Sequence, residues 1–170
     1  NEERQAQLVE FRKMIEISAS LLAIDNATEE DIAKLREIHE QFKSDFHRGK
    51  ATVDKDMKFH NVIYESTHNP FVVSIGGCIM ELFHPSLVIA NRDYSKIVTD
   101  NHEQILAALE QRDKEAMETA IRDALDAWSN LVLTGLLVLL LKNIYQRPRP
   151  SILHLVEEKG FSFPSGHSLA

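Results

Sequence analysis

The sequence of 170 residues contains a single cysteine and few residues that interrupt helices, with six glycines and five prolines. One cysteine cannot form an internal disulfide, which excludes a disulfide-stapled secreted fold and fits a reducing cytoplasm. Cys78 lies in the apolar stretch 72–82, where we expect a buried, unreactive thiol. With 44% apolar and 26% charged residues, the composition is that of a globular protein.

An excess of basic residues is also lacking, since the formal net charge is −7. Residues 1–130 carry 15 Lys and Arg against 24 Asp and Glu, whereas residues 131–170 carry 4 against 2. Affinity for the phosphate backbone of DNA comes mostly from clustered Lys and Arg, so we expect no DNA binding by this chain alone. The polar N-terminus is not followed by a short apolar segment, and we expect no signal peptide.

Up to residue 130, apolar residues recur at intervals of three and four residues, which predicts helices. We therefore expect an all-α fold, an antiparallel bundle of about six helices. The predicted segments are residues 8–22, a second helix from Asn26 or Thr28 to residue 48, and residues 54–67, 70–91 and 94–110, followed by a sixth helix capped by Asp113. Thr28 and Asp31 approximate a capping box at the start of the second helix.

In the first predicted helix, the apolar residues form one stripe that is expected to face the core. This stripe consists of Leu8, Phe11, Ile15, Ser18 or Ala19, and Leu22.

The character of the sequence changes near residue 130. Residues 131–141 are apolar on every face, so a helix there must be buried by protein or by lipid. Its eleven residues would span roughly 17 Å, against about 30 Å for a bilayer core, so it is too short to cross a membrane alone. A tail rich in Pro, Ser and Gly follows. We predict a first domain of residues 1–130 and a second of residues 131–170, with membrane contact as an alternative for 131–141.

Asp56 and His60 stand four residues apart in the third predicted helix, so their side chains share a face and could chelate one ion. Such a pair by itself is typical of a solvated helix face. The histidines at positions 39, 47, 68 and 84 have no comparable spacing and are expected at surface or capping positions.

Three sets of residues resemble the FadR-type C-terminal effector-binding (FCD) domain of GntR-family transcription regulators. The resemblance covers about residues 4–130. The matching residues are the run Asp56-Met-Lys-Phe-His60 with Ser66-Thr-His-Asn69, the first-helix residues Glu10-Phe-Arg12, Glu16 and Ala23, and the segment from Asn101 to Asp113.

This resemblance implies a metal site. Its positions for Asp, His and His ligands match Asp56, His60 and His102, whereas the fourth ligand position falls on Ala124, which cannot bind a metal. Asp123 is one residue away, about 100° round the helix, and would need a shifted register to replace it. Two interpretations remain open. Either Zn or Ni is held by three residues, with water or an effector carboxylate completing the shell, or the pocket is metal-free.

The resemblance also implies that the domain senses a small organic acid, such as lactate, pyruvate or a sugar acid. Arg12 and Asn69 are the effector-binding residues that it indicates. It further implies a homodimer, and a DNA-binding domain that this chain does not itself provide.

Residues 131–170 resemble a different family, the type 2 phosphatidic acid phosphatases. Lys142 to Pro150 fits K-x6-R-P, and Pro164-Ser-Gly-His fits P-S-G-H. In that family Lys142, Arg149, Ser165 and Gly166 would bind the phosphoryl group, and His167 would protonate the leaving oxygen.

The third phosphatase motif, which supplies the nucleophilic histidine, is missing from this sequence. Without a nucleophile the covalent route is closed, and we expect the tail to be inactive, as a phosphate-binding remnant or simply a positive turn. The simplest interpretation is a chimera of a sensor domain with a truncated phosphatase. The alternative is a membrane phosphatase acting on lipid or isoprenoid phosphates.

Overall fold

The computed structural model describes the backbone of residues 2–145 and the side chains of residues 7, 9–88, 90–91 and 96–130. Throughout this part of the chain the regular structure is helical, which confirms the all-α prediction. The helices are α1 (Glu2–Asn26), α2 (Glu29–His47), α3 (Val53–Glu65), α4 (Pro70–Gln111) and α5 (Lys114–Tyr145).

Within residues 2–145, two helix boundaries that the sequence predicts are absent. Residues 70–91 and 94–110 belong to one continuous helix, α4. No Gly or Pro occurs between positions 86 and 111, and a polar run alone does not interrupt helical hydrogen bonding. Likewise, α5 continues through the change in composition near residue 130. The contacts divide the chain after Trp128, and the assignment of two domains stays a prediction.

Local sequence signals define several helix ends as expected. At the start of α2, the Thr28 N–H donates to Asp31 Oδ2 at 2.9 Å, and the Asp31 N–H donates to Thr28 Oγ1 at 3.2 Å. This reciprocal pair confirms the capping box. Pro70 occupies the first turn of α4, where its missing N–H costs no hydrogen bond. Asp113 accepts a hydrogen bond from the Ala116 N–H and so caps α5.

The core lies where α4 packs against α1, α2 and α3, and the first half of α5 adds to it. Most of the apolar residues of α2 are buried, including Leu35 and Phe42 at 0% exposure. In α5, Met117, Ile121, Leu125 and Trp128 are buried, whereas Ala116 is exposed.

Helix α1 buries a different face from the predicted one. Phe11 is 42% exposed, whereas the neighbouring Arg12 and the following Glu16 are each only 2% exposed. The prediction was wrong for Phe11, because charged side chains such as those of Arg12 and Glu16 are normally assigned to solvent, and it was right for Ala19, which is 4% exposed. Here the two charges pair with each other, and small residues such as Ala19 and Ala23 complete the buried face.

The N-terminal half of α4 carries an exposed apolar surface. Cys78 is exposed, which contradicts the expected buried thiol. Among the described residues, the segment Pro70–Val88 is long and apolar enough to cross a membrane, a criterion that core helices of soluble proteins also meet. The membrane contact predicted for 131–141 concerns side chains that lie outside the described ones.

Candidate metal centre

Helices α3 and α4 bring Asp56, His60 and His102 together. Asp56 and His60 share one face of α3, and His102 reaches them from the second half of α4. Asp56 Oδ1 lies 3.0 Å from His102 Nε2 and 3.6 Å from His60 Nε2. Within the described part of the chain, these three residues form the group of potential metal ligands, with ligand atoms within 4.8 Å of one another.

Asp56 is held in position by a chain of buried polar groups. The Asn91 side-chain amide donates to Asp56 Oδ2 at 2.6 Å, and the Thr52 hydroxyl donates to Asn91 Oδ1 at 2.8 Å. Burial by itself would raise the pKa of the Asp56 carboxyl. The hydrogen bond and charge of His102, the charge of His60 and the Asn91 hydrogen bond outweigh burial and lower this pKa to about 2. Asp56 is therefore a carboxylate at neutral pH.

The His60 ring lies between two carboxylates. Its Nε2 faces Asp56, and its Nδ1 lies 3.7 Å from Glu16 Oε2. Burial is the largest effect and lowers the pKa of His60, although Glu16 and Asp56 act in the opposite direction. A neutral imidazole is the form that binds metal ions.

His102 is fixed by aromatic neighbours. Its ring stacks on Phe59 at a centroid distance of 3.9 Å, and Phe42 contacts it edge-on at 5.2 Å. His39 packs 5.9 Å away and is 2% exposed, so the expectation of a surface or capping role was wrong for this histidine. Burial lowers the pKa of His39, and the nearby Lys43 lowers it further.

A buried ion pair adjoins the three potential ligands. The Arg12 Nε donates to Glu16 Oε1 at 2.5 Å. The guanidinium carbon of Arg12 lies 4.7 Å from the centre of the Phe83 ring and 4.5 Å from that of Trp128. Aromatic faces attract a cation in this geometry, so the rings support the buried charge. Arg12, predicted as an effector-binding residue, is thus placed beside the potential metal ligands through Glu16.

Several buried donors in this region have no hydrogen-bond partner among the described residues. They include Arg12 Nη1, the Tyr64 hydroxyl, Trp128 Nε1 and His102 Nδ1. Burial, and then the charge of Glu16, raise the pKa of the Tyr64 phenol, which keeps its proton available for donation. Unsatisfied buried donors are rare in native proteins and favour a missing partner such as water or ligand.

Neither Tyr64 nor Trp128 is indicated as a site residue by the sequence. Both are aromatic residues at helical spacing, and such residues are normally assigned to the core.

Two other predicted site positions, Asn69 and Ala124, are not members of the group of potential ligands. Asn69 is the N-cap of α4, where its side-chain oxygen accepts from the Phe71 N–H at 3.0 Å. This contact gives Asn69 a structural role, and its effector-binding role stays a prediction. Ala124 lies on α5 and is half-buried, whereas Asp123 is exposed and is not a member of the ligand group among the described residues.

The three residues offer donor atoms that could hold a divalent transition metal. Ligand atoms that bind one ion at about 2.1 Å lie about 3.0 Å apart in octahedral geometry and about 3.4 Å apart in tetrahedral geometry. The distances of 3.0 and 3.6 Å from Asp56 to the two imidazoles are close to these values. Two imidazoles and one carboxylate are ligands that zinc and nickel accept.

Comparison with known proteins gives the family. The sequence matches the family model of the FCD domain over residues 7–127. This range includes the three potential ligands and the Arg12–Glu16 pair. The chain belongs to the FCD domain family. FCD domains are the effector-binding domains of GntR-family regulators, so this part of the predicted resemblance is confirmed.

The fold of this FCD domain also resembles a solved structure, that of E. coli McbR/YncC. The TM-score is 0.69 at 20% sequence identity, and the match covers 79% of this chain and 67% of the other. A likeness at this identity concerns the fold alone. No curated protein matches the sequence.

The phosphatase-like segment lies outside the FCD family match, which ends at residue 127. Lys142 lies on α5, whereas Arg149, Ser165, Gly166 and His167 are outside the described residues. The phosphatase roles of these residues, and the chimera that they suggested, stay predictions.

Proposed function

We propose that this FCD domain is the sensor of a transcription regulator and that its effector is a small organic acid bound beside a divalent metal. The observation that carries the proposal is the buried Arg12, which is 2% exposed and uses Nε to bind Glu16 while Nη1 has no partner among the described residues. A buried cationic donor without an acceptor is costly, and an effector carboxylate is the natural acceptor for a guanidinium.

The unpartnered Tyr64 hydroxyl and Trp128 Nε1 support the same ligand chemistry. Trp128 stacks on the Arg12 guanidinium, and Tyr64 is close enough for Arg12 and Glu16 to affect its pKa. Each contributes a neutral donor in a low-dielectric setting, where hydrogen bonds to an anion are strong. An organic acid would accept from such donors better than a neutral metabolite would.

In this proposal Asp56, His60 and His102 hold zinc or nickel, and a ligand oxygen or water completes the shell. A bound ion would supply a positive charge that attracts the effector carboxylate. The acidic domain binds DNA only together with a DNA-binding domain, and its place of action is the cytoplasm.

Isothermal titration calorimetry of the full chain with zinc and nickel tests the metal site. His60→Ala is expected to weaken metal binding by several kcal/mol, because one of few ligands is lost. His47→Ala, at the exposed C-terminal end of α2, is the matched control and should bind as the unmodified chain does. Equal binding by His60→Ala, or no binding by the unmodified chain, contradicts the metal site.

Titration with lactate, pyruvate and gluconate, with and without metal, tests the effector. Arg12→Lys retains a positive charge but loses the planar fork, so carboxylate affinity should fall by about tenfold. Carboxylate binding that is indifferent to Arg12→Lys would place the effector elsewhere.

We also propose that the domain is a homodimer, as the family resemblance implies. The partner surface would be the exposed apolar face of α4, where Phe71, Ile75, Cys78 and Leu82 follow one another at intervals of four, three and four residues. This spacing is typical of the apolar seam between two packed helices, here from a second copy of the chain. Light scattering should give a dimer, and Leu82→Glu should yield monomers.

A further inference from the structure

The two ring nitrogens of His60 face different carboxylates. Nε2 faces Asp56, one of the three potential ligands, and Nδ1 faces Glu16. The distance from His60 Nδ1 to Glu16 Oε2 is 3.7 Å, and that from His60 Nε2 to Asp56 Oδ1 is 3.6 Å. His60 therefore has one carboxylate at each nitrogen, and its neutral ring carries only one proton to share between them.

We propose that Glu16 is a positioning residue of the metal site. Its carboxylate accepts a hydrogen bond from the Nδ1–H of His60, so the unprotonated Nε2 of the same ring faces the metal. This inference rests on the proposed metal site. It follows from the competition between the two carboxylates, because a proton held at Nδ1 by Glu16 cannot be held at Nε2 by Asp56. Only an Nε2 without a proton can bind a metal.

Glu16 is fixed well enough to perform this task. Its side chain is 3% exposed, and its Oε1 receives the Arg12 Nε at 2.5 Å, which leaves Oε2 directed to His60. Arg12 is itself held by the rings of Phe83 and Trp128. A carboxylate anchored on one oxygen has little freedom to move away from the imidazole.

The distance of 3.7 Å is longer than a hydrogen bond, so the contact needs an approach of roughly 0.8 Å. In known metal sites, the second nitrogen of a histidine ligand usually donates to a carboxylate or carbonyl oxygen.

Glu16 acts through His60 rather than as a ligand. Within the described residues, the group that could share one ion contains Asp56, His60 and His102, without Glu16. Since Ala124 stands at the fourth ligand position implied by the family resemblance, the site has three protein ligands. The orientation of each of them then has a larger influence on affinity.

The test combines calorimetry and NMR on the full chain. Glu16→Gln removes the charge at constant size, and it is expected to weaken zinc and nickel binding by about 10–100-fold, the usual effect of losing a contact to a ligand histidine. Glu10→Gln, on an exposed position of the same helix, is the matched control and should leave the affinity unchanged.

Nitrogen-15 NMR of the metal-free chain reports which nitrogen of the His60 ring carries the proton. A purely structural role of Glu16 would not change this tautomer. We expect the Nδ1–H tautomer in the unmodified chain and a shift to the Nε2–H tautomer in Glu16→Gln. An Nε2–H tautomer in the unmodified chain overturns the inference even where the variant fails to fold.

The remaining outcomes separate this inference from the function on which it rests. Metal binding that Glu16→Gln leaves unchanged overturns the role of Glu16 and leaves the metal site standing. Weaker binding with an unchanged His60 tautomer also overturns it, because Glu16 would then act through Arg12 and the fold. Absence of zinc and nickel binding by the unmodified chain overturns the metal site, and this role with it.

Discussion

Asp56 on α3 and His102 on α4 meet with Oδ1 and Nε2 3.0 Å apart, and both side chains are nearly fully buried. This contact joins two helices across the core, whereas the contact of Asp56 with His60 lies within a single helix. A buried carboxylate that contacts two imidazoles and an amide keeps its charge inside the protein, and this has a measurable consequence for stability.

The folded state should lose stability in acid through Asp56. Its pKa is lowered to about 2 from 3.8, so the unfolded chain takes up the proton first as pH falls. The stabilisation is fully present above the unfolded pKa and is lost as pH falls from about 5 to 2, amounting to about 2 kcal/mol. Urea unfolding of the metal-free chain should show that the difference in free energy of unfolding between the unmodified chain and Asp56→Asn becomes smaller over this range. Asp54→Asn, at an exposed position, is the control. A difference in unfolding free energy between the unmodified chain and Asp56→Asn that does not change with pH contradicts the prediction.

A fourth ligand should strengthen the metal site if the family alignment of α5 is right. Ala124→His is expected to tighten zinc binding on the order of tenfold, about 1.4 kcal/mol, because it replaces a water or effector ligand by an imidazole. Calorimetry compares it with Ala127→His, one turn further along α5. No change in Ala124→His means that the ligand position was assigned to the wrong residue.

Gly76 is required by the packing of Tyr64. A Cβ at position 76 would overlap the Tyr64 ring, whereas a Cβ at the neighbouring Gly77 meets nothing within 4 Å. Gly76→Ala should lower the free energy of unfolding by about 1–3 kcal/mol through overpacking. Gly77→Ala should raise it by up to about 1 kcal/mol, because alanine favours helices. Equal stabilities of the two variants would show that the ring moves freely.

Residues 1–130 should fold without the tail, since the contacts divide the chain after Trp128 and the apolar core belongs to the first part. Circular dichroism of this fragment should show a helical spectrum and a cooperative thermal transition. A random-coil spectrum would mean that the sensor domain needs residues beyond 130.

The chain should not hydrolyse phosphomonoesters, although Lys142, Arg149, Ser165 and His167 match the binding and acid positions of a phosphatase. These 170 residues contain no third-motif pattern that would supply an attacking group, and without such a group held in line the positioning contribution of up to about 7–11 kcal/mol is lost. Phosphate release from phosphatidic acid and an aryl phosphate is compared with that of His167→Ala. Release that disappears in this variant would establish an active site in the tail.

Much of the local structure could be predicted from the sequence. Apolar residues at helical spacing defined the helices, and Thr28 with Asp31 defined the start of α2 through a capping box that involves only neighbouring residues. The shared face of Asp56 and His60 also follows from the helical period alone. Features fixed by the helical period or by adjacent residues require no knowledge of how helices pack.

The rest was decided by tertiary structure. The rotation of α1 buries Arg12 and Glu16 instead of Phe11, because the pair satisfies its own charges and two aromatic rings enclose the guanidinium. The spacing of apolar residues along one helix does not reveal that aromatic rings on other helices will stabilise a buried charge. The family resemblance placed His102 with the ligands, but its geometry, and the contact of Glu16 with His60, exist only after α1, α3 and α4 have packed together.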